Sequence, residues 1–462
     1  MSKLNKILGV FTHEGAKAKR FTPEMELKRA LMNCLLWEDQ FYEDGVSIAD
    51  RIKALVPLVA PARVAALAIQ AREEMKLRHA PLLVVREMAR HETHRGLVAD
   101  TLARVIQRPD EMTELLAIYW ADALGPMQQR KRQPVSAQIK KGLARALTKF
   151  DAYQLAKYDR EGAVRIRDVL FLVHAKPKDE AQAKLWKQLV DGELNAPDTW
   201  EVALSAGKDK KATFERLLGE RKLGYLALLR NLRNMEQAKV EPGLVEAAIL
   251  DKRGAGKVFP FRYVAAARAA PSFEPALEKA LLSDLAQRPK LKGKTVIVVD
   301  VSGSMYHSYM SERSEMNRAT AAATLAAIAR EMCEDVKIYA TAGSDAKRVH
   351  QTQLVPPRHG MALIDAIYGL CQPLGGGGIF LKQVMDYLRK QERTADRMIV
   401  VTDEQDCGLG SADSPQNAKP FGKHNYMINV ASYQNGVGGG VWTRVNGFSE
   451  AILDWIAASE ET

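Results

Sequence analysis

Cysteine is scarce: Cys34, Cys333, Cys371 and Cys407 are the only four in 462 residues, and none stands at a CxxC or other metal-ligand spacing. That excludes a disulfide framework and favours reduced thiols and a cytoplasmic address. No apolar run approaches a membrane span, and the opening M-S-K-L-N-K-I-L-G-V-F is too poor in apolar residues for a signal peptide. The glycine run Gly375 to Gly378 is not followed by G-K-[ST], which excludes a phosphate-cradling nucleotide loop. His91 and His94 fall short of H-E-x-x-H and read as surface or RNA-facing residues. No Ser/His/Asp or Cys/His set can be assembled on one face. Strand signals are missing from Pro23 to Ala286. What remains is a globular composition, 47% hydrophobic and 27% charged, long enough for two or more domains.

Charge is present but unevenly divided. Residues 1–290 hold 50 Lys and Arg against 37 Asp and Glu, a balance of +13, whereas residues 291–462 hold 17 against 19, a balance of −2. A polyanionic partner therefore belongs to the first part.

The nearly neutral part contains the sharpest motif, Thr295 to Met305, T-V-I-V-V-D-V-S-G-S-M. Val296 to Val299 is a continuous apolar run, the pattern of a strand buried on both faces, and it ends at Asp300. Ser302 and Ser304 follow at alternate positions, so one tight loop offers a carboxylate and two hydroxyls. Oxygen donors of this kind suit a hard divalent cation such as Mg²⁺. This D-x-S-x-S pattern resembles the metal-ion-dependent adhesion site of von Willebrand factor A domains. In that family an Asp from another strand end completes the site, and the resemblance puts Asp403 there, at the end of the buried run M-I-V-V-T. The family's threonine in a middle loop is not matched: Gly378 or Ile379 stands in its place, and Thr341 is a candidate substitute.

From Pro23 the spacing predicts a series of short amphipathic helices, an all-α solenoid or bundle with one long concave surface. Its most basic run holds Arg130, Lys131, Arg132, Lys140, Lys141 and Arg145. Next come Lys157, Tyr158, Arg160, Arg165, Arg167, His174 and Lys176, interspersed with aromatic and apolar residues. Cations beside aromatic rings hold phosphates and stack unpaired bases. A basic linker, Gln287 to Lys294, separates this region from alternating strands and helices. The expected division is 1–288 helical and 289–462 an α/β doubly wound sheet.

The stretches K-G-L-A-R-A-L-T-K-F-D, Q-L-A-K-Y and R-D-V-L-F-L-V-H-A-K-P resemble the central signature of the TROVE module of the Ro autoantigen proteins and their bacterial relatives. The signature's histidine near the start of R-D-V-L is replaced by Ile166 or Arg167. That family joins a ring of HEAT-like helical pairs to a von Willebrand factor A domain, and both halves match here in the same order. The resemblance implies a non-catalytic RNA-binding scaffold for Y-like non-coding RNA and the ends of misfolded RNA. It also implies a tethered 3′ exoribonuclease such as polynucleotide phosphorylase. A metal-dependent protein adaptor with incidental RNA binding is the alternative.

Overall fold

The computed structural model describes residues 10–18, 21–32, 45–121, 134–288, 290–310, 316–431, 433, 435–447 and 451–460. Helices run α1 (Pro23–Met32), α2 (Gly45–Leu55), α3 (Pro61–Glu73), α4 (His79–Arg90), α5 (Arg95–Val105), α6 (Asp110–Ala121), α7 (Ala137–Leu147), α8 (Ala152–Tyr158), α9 (Ile166–Val173), α10 (Glu180–Asp191) and α11 (Trp200–Ser205). After these come α12 (Lys210–Gly219), α13 (Tyr225–Gln237), α14 (Pro242–Asp251), α15 (Phe261–Ala269) and α16 (Glu274–Leu285). Local chemistry starts several of them. Ser136 accepts the Ile139 amide at 3.3 Å at the head of α7, and Asp151 and Gln154 exchange bonds of 2.7 and 3.1 Å as a capping box on α8.

By compactness the chain divides into two units. One holds the described residues within Thr22–Trp37 and Gly45–Val202, the other those within Met1–Phe21 and Ala203–Thr462. The first unit is all helical around a core that runs from Leu27 and Leu31 through Val84, Leu102 and Leu143 to Trp186 and Leu189. Gly142 sets its closest helix contact: a Cβ there would stand 2.9 Å from Leu102 Cβ and 3.0 Å from the Ala99 carbonyl. Only glycine lets α5 and α7 approach so nearly.

In the second unit a six-stranded sheet follows α16. It contains β1 (Leu291–Asp300), β2 (Cys333–Ser344), β3 (Val349–Leu354), β4 (Ala395–Thr402), β5 (Gly422–Asn429) and β6 (Thr443–Asn446), in the spatial order β3-β2-β1-β4-β5-β6. Helices α17 (Gly303–His307), α18 (Arg318–Met332), α19 (Gly360–Tyr368), α20 (Leu381–Glu392) and α21 (Ala451–Glu460) connect and flank it. The pairings are parallel except β2 with β3, an antiparallel edge hairpin that the expected purely parallel alternation omits. The Ala-rich α18 is buried over most of its length, with the sheet beneath it and α15, α16 and α19 also packed against it. The Glu278 carboxylate on α16 accepts the Met361 amide at 2.8 Å, fastening α16 to α19. The element type changes near residue 288, but compactness divides the chain near residue 203, because α12 to α14 pack on α15 and α16, which in turn pack on α18 and α19 beside the sheet.

The chain passes from β1 to β2 on one side and then returns to lay β4 on the other. The switch point therefore lies at the C-terminal ends of β1 and β4, where open α/β sheets place their ligands.

Candidate functional site

Both acidic residues singled out in the sequence stand at that switch point. Val299 pairs with Val401, so β1 and β4 end side by side, with Asp300 and Asp403 each 0% exposed. The Ser302 amide donates to Asp300 Oδ1 at 2.9 Å, and the Thr402 hydroxyl donates to Asp300 Oδ2 at 2.6 Å. Ser302 and Ser304 hydroxyls lie 3.2 Å apart, while the Gln405 amide donates to Asp403 Oδ1 at 3.2 Å. The buried Arg318 guanidinium approaches Asp403 Oδ2 to 3.8 Å. Burial and then the Asp403 charge push the Asp300 carboxyl up to about 7, against the pull of the Thr402 and Ser302 bonds. Two carboxylates and two hydroxyls, all oxygen donors, stand in the loops at the adjacent ends of β1 and β4. Such a set fits a small divalent cation better than a soft metal.

The missing threonine has a steric explanation. A Cβ on Gly378 would stand 2.0 Å from Cys407 Sγ, and Ile379 is buried in a bridge with Asp406. Neither position can offer a hydroxyl. Thr341 lies beside Asp300 in the β1–β2 register, yet its hydroxyl is 2.9 Å from Thr352 Oγ1 and 3.3 Å from the Gln351 carbonyl of β3. It is turned away from Asp300 and is not a substitute. Thr402 on β4 adds a hydroxyl that reaches Asp300 beside that of Ser302, a role its place in a buried strand does not announce. The glycine loop closes on the site from above, the Gly303 amide donating to the Gly377 carbonyl at 3.1 Å.

The basic candidates lie in the helical unit, on α7, on α8 and α9 and in the loops beside them. Lys141, Arg145, Arg160, His174 and Lys176 are exposed, and Lys140, Lys157, Tyr158, Arg165 and Arg167 are half-buried. His174 ends α9 at φ +50 and is exposed, not a buried backbone-bonded histidine. Arg130, Lys131 and Arg132 lie outside the described residues. Acidic neighbours occupy some cations: Arg145 pairs with Asp100, and Arg165 with Asp159 at 2.9 Å. The fold adds a cation that sequence proximity did not suggest. Arg108, from the α5–α6 turn, lies 4.4 Å over the Tyr158 ring, while Lys157 Nζ is 5.9 Å from the rings of Tyr153 and Tyr158. Tyr153 is 52% exposed, so the cluster offers an open ring beside Lys157, and Phe171 on α9 is 57% exposed.

Packing also decides the reading of the histidine pair. His94 is 1% exposed and its Nε2 lies 3.1 Å from the Val59 carbonyl, so the His91–His94 pair is not a surface pair. In α13 the buried Asn231 donates back to the Ala227 carbonyl of its own helix, while Arg233 donates across to the Ala269 carbonyl at the end of α15.

With this geometry in place, the TROVE domain family model matches residues 191–368. The match spans 178 of the 462 residues, and over that stretch the chain is similar to TROVE domains. The matched stretch begins after the basic signature motifs at 141–177 and ends with α19, so it crosses from the helices into the sheet domain. No curated protein matches the chain by sequence. Among solved structures it is similar to the crystal structure of the Deinococcus radiodurans RO (RSR) protein. That match has a TM-score of 0.61 at 20% identity and covers 94% of this chain and 99% of the other. At that identity the likeness concerns the fold.

Proposed function

We propose that this protein is a TROVE-type, non-catalytic RNA-binding scaffold that grips structured non-coding RNA through the basic and aromatic surface of α7 to α9. The observation that carries the reading is Lys157 beside the rings of Tyr153 and Tyr158, with Arg108 stacked on Tyr158 and held there by Asp110, a cation next to aromatic rings of the kind that hold phosphates and stack unpaired bases. The balance of +13 over residues 1–290 supports it. The RNA class is Y-like RNA together with the ends of misfolded RNA, the setting is cytoplasmic RNA quality control, and a 3′ exoribonuclease such as polynucleotide phosphorylase is the tethered partner. Replacing Lys140, Lys141, Lys157 and Arg160 by Gln tests the surface. RNA retention should fall, and the slope of log affinity against log salt should shrink by about 0.7 for each single-strand phosphate that the variant no longer neutralises. Retention unchanged at moderate salt rejects this interface, and cellular crosslinking that enriches no RNA over a neutral control rejects the reading.

A second reading, supported by the buried carboxylate pair, concerns the sheet domain. Asp300, Ser302, Ser304 and Asp403 would hold Mg²⁺, with Thr402 and Ser302 orienting Asp300. The ion, when bound, supplies a Lewis-acidic position for an acidic group of a protein partner. Titration calorimetry should find one divalent site that Asp300→Ala removes; equal binding by the variant rejects it.

A further inference from the structure

The segment ahead of the first helix has no part in either reading so far. Residues 10–18 fold back on themselves, with Phe11 and Lys17 in an antiparallel bridge and Gly15 turning at φ +84. The tip is closed by the Ala16 amide donating to Thr12 Oγ1 at 3.0 Å. This strap sits on the segment that follows Asp403. The Thr12 hydroxyl donates to the Asp406 carbonyl at 3.0 Å, and the His13 amide donates to Gln405 Oε1 at 2.6 Å. Asn435 Nδ2 donates to the Phe11 carbonyl at 2.9 Å and Gln416 Nε2 to the Ala18 carbonyl at 3.1 Å. Thr12 is only 4% exposed, so the contact is a buried one.

A second tie runs through Phe21. Its ring lies 3.8 Å from the Arg444 guanidinium, which pairs with Glu404 Oε2 at 2.8 Å. Glu404 is 1% exposed at φ +59, and its carboxylate also accepts the Gly438 amide and Asn429 Nδ2, each at 3.0 Å. A glutamate in the left-handed region, with its charge buried, persists only where several contacts hold it. Glu404, Gln405 and Asp406 are the three residues directly after Asp403. Two of them touch the strap, and the third reaches the same N-terminal segment through Arg444. A carboxylate at the end of a strand is aimed by the loop that follows it, and this loop is held from the N-terminal segment, 392 residues away in sequence.

We propose that the N-terminal segment is a positioning component of the divalent-cation site. By fixing residues 404–406 it aims Asp403 at Asp300, and strap docking and cation binding stabilise one another. The inference rests on the reading of Asp300, Ser302, Ser304 and Asp403 as a metal site. Because linkage is reciprocal, whatever the strap adds to cation affinity the cation adds to strap docking.

Mn²⁺ is the probe, used on the full chain by titration calorimetry and electron paramagnetic resonance, with hydrogen exchange of residues 10–18 as the second readout. Thr12→Val and Phe21→Ala should each weaken Mn²⁺ binding about fivefold, the lower end of ordinary coupling between sites. Phe21→Trp, which keeps a ring under Arg444, should restore it. In the wild-type chain Mn²⁺ should slow exchange across the strap, and in Asp300→Ala it should not. Wild-type Mn²⁺ affinity in both strap variants, with binding abolished by Asp300→Ala, overturns the positioning role and leaves the metal site standing. So does a strap variant that lowers the melting temperature without changing affinity. A wild-type chain that binds no Mn²⁺ overturns the metal reading and this inference together.

Discussion

At the scale of single residues, Thr402 carries more of the site than its place in a buried strand suggests. Its hydroxyl donates at 2.6 Å to a carboxylate that is wholly buried, and bonds to charged groups contribute about 1.5–3 kcal/mol. Thr402→Val should therefore weaken divalent-cation binding roughly tenfold or more, and Thr402→Ser should retain most of it, as read by titration calorimetry. Asp406 behaves differently. Burial pushes its carboxyl from 3.8 up to about 7, although the Leu381 and Gly408 amides each donate to it at 2.7 Å and pull the other way. A carboxyl raised in the folded state binds its proton more tightly there than in the unfolded chain. Its contribution is fully present below the unfolded value near 3.8 and is lost as pH rises through about 7. Metal-free protein should show a melting temperature that falls between pH 4 and 7 by more than that of Asp406→Asn, measured by calorimetry.

At the scale of elements, packing distance decides what sequence pattern cannot show. Gly142 reads as a weak point inside a helix, yet it is where α5 and α7 meet, with Leu102 Cβ 2.9 Å from the position of an added Cβ. Gly142→Val should cost about 1–3 kcal/mol by overpacking, despite valine's better backbone propensity over glycine, in urea unfolding of the chain. Strands β1 and β4 were legible because both faces are covered and Val296 to Val299 and Met398 to Val401 are unbroken apolar runs. Strands β3 and β6 were not legible. V-H-Q-T-Q-L has no fully buried residue and T-R-V-N has one, so the edge of the sheet leaves little apolar signal to read. The placement of Asp300, Ser302, Ser304 and Asp403 at the ends of β1 and β4 was legible because residue type and strand-end position are local facts. Thr341's turn toward β3, the clash at Gly378 and the reach of Arg108 over Tyr158 depend on neighbours distant in sequence, which no pattern within one segment carries.

At the scale of the whole molecule, the change from helices to sheet near residue 288 and the division of compactness near residue 203 make different statements about stability. If elements of one type unfolded together, α12 to α16 would melt with the helices before them. Their packing places them instead with the sheet: α15 and α16 lie on α18, α16 also lies on α19, and Glu278 caps the Met361 amide at 2.8 Å. A cooperative unit follows packing and not element type. Scanning calorimetry should accordingly resolve two transitions, with the enthalpy of the sheet-containing one matching some 280 residues, those of Met1–Phe21 together with Ala203–Thr462. Ligands then sort the transitions, since each raises only the unit that holds it, by RT ln(1 + [L]/Kd). A divalent cation at about 100 times its Kd should add about 2.7 kcal/mol to the sheet-containing transition alone, and RNA should raise the helical one. A hydrogen-exchange experiment assigns the peaks: amides of α13 and α14 should open with β1 and β4, not with α4 and α5. If they open with α4 and α5, the helices form one cooperative array, and the boundary of stability lies at residue 288 after all.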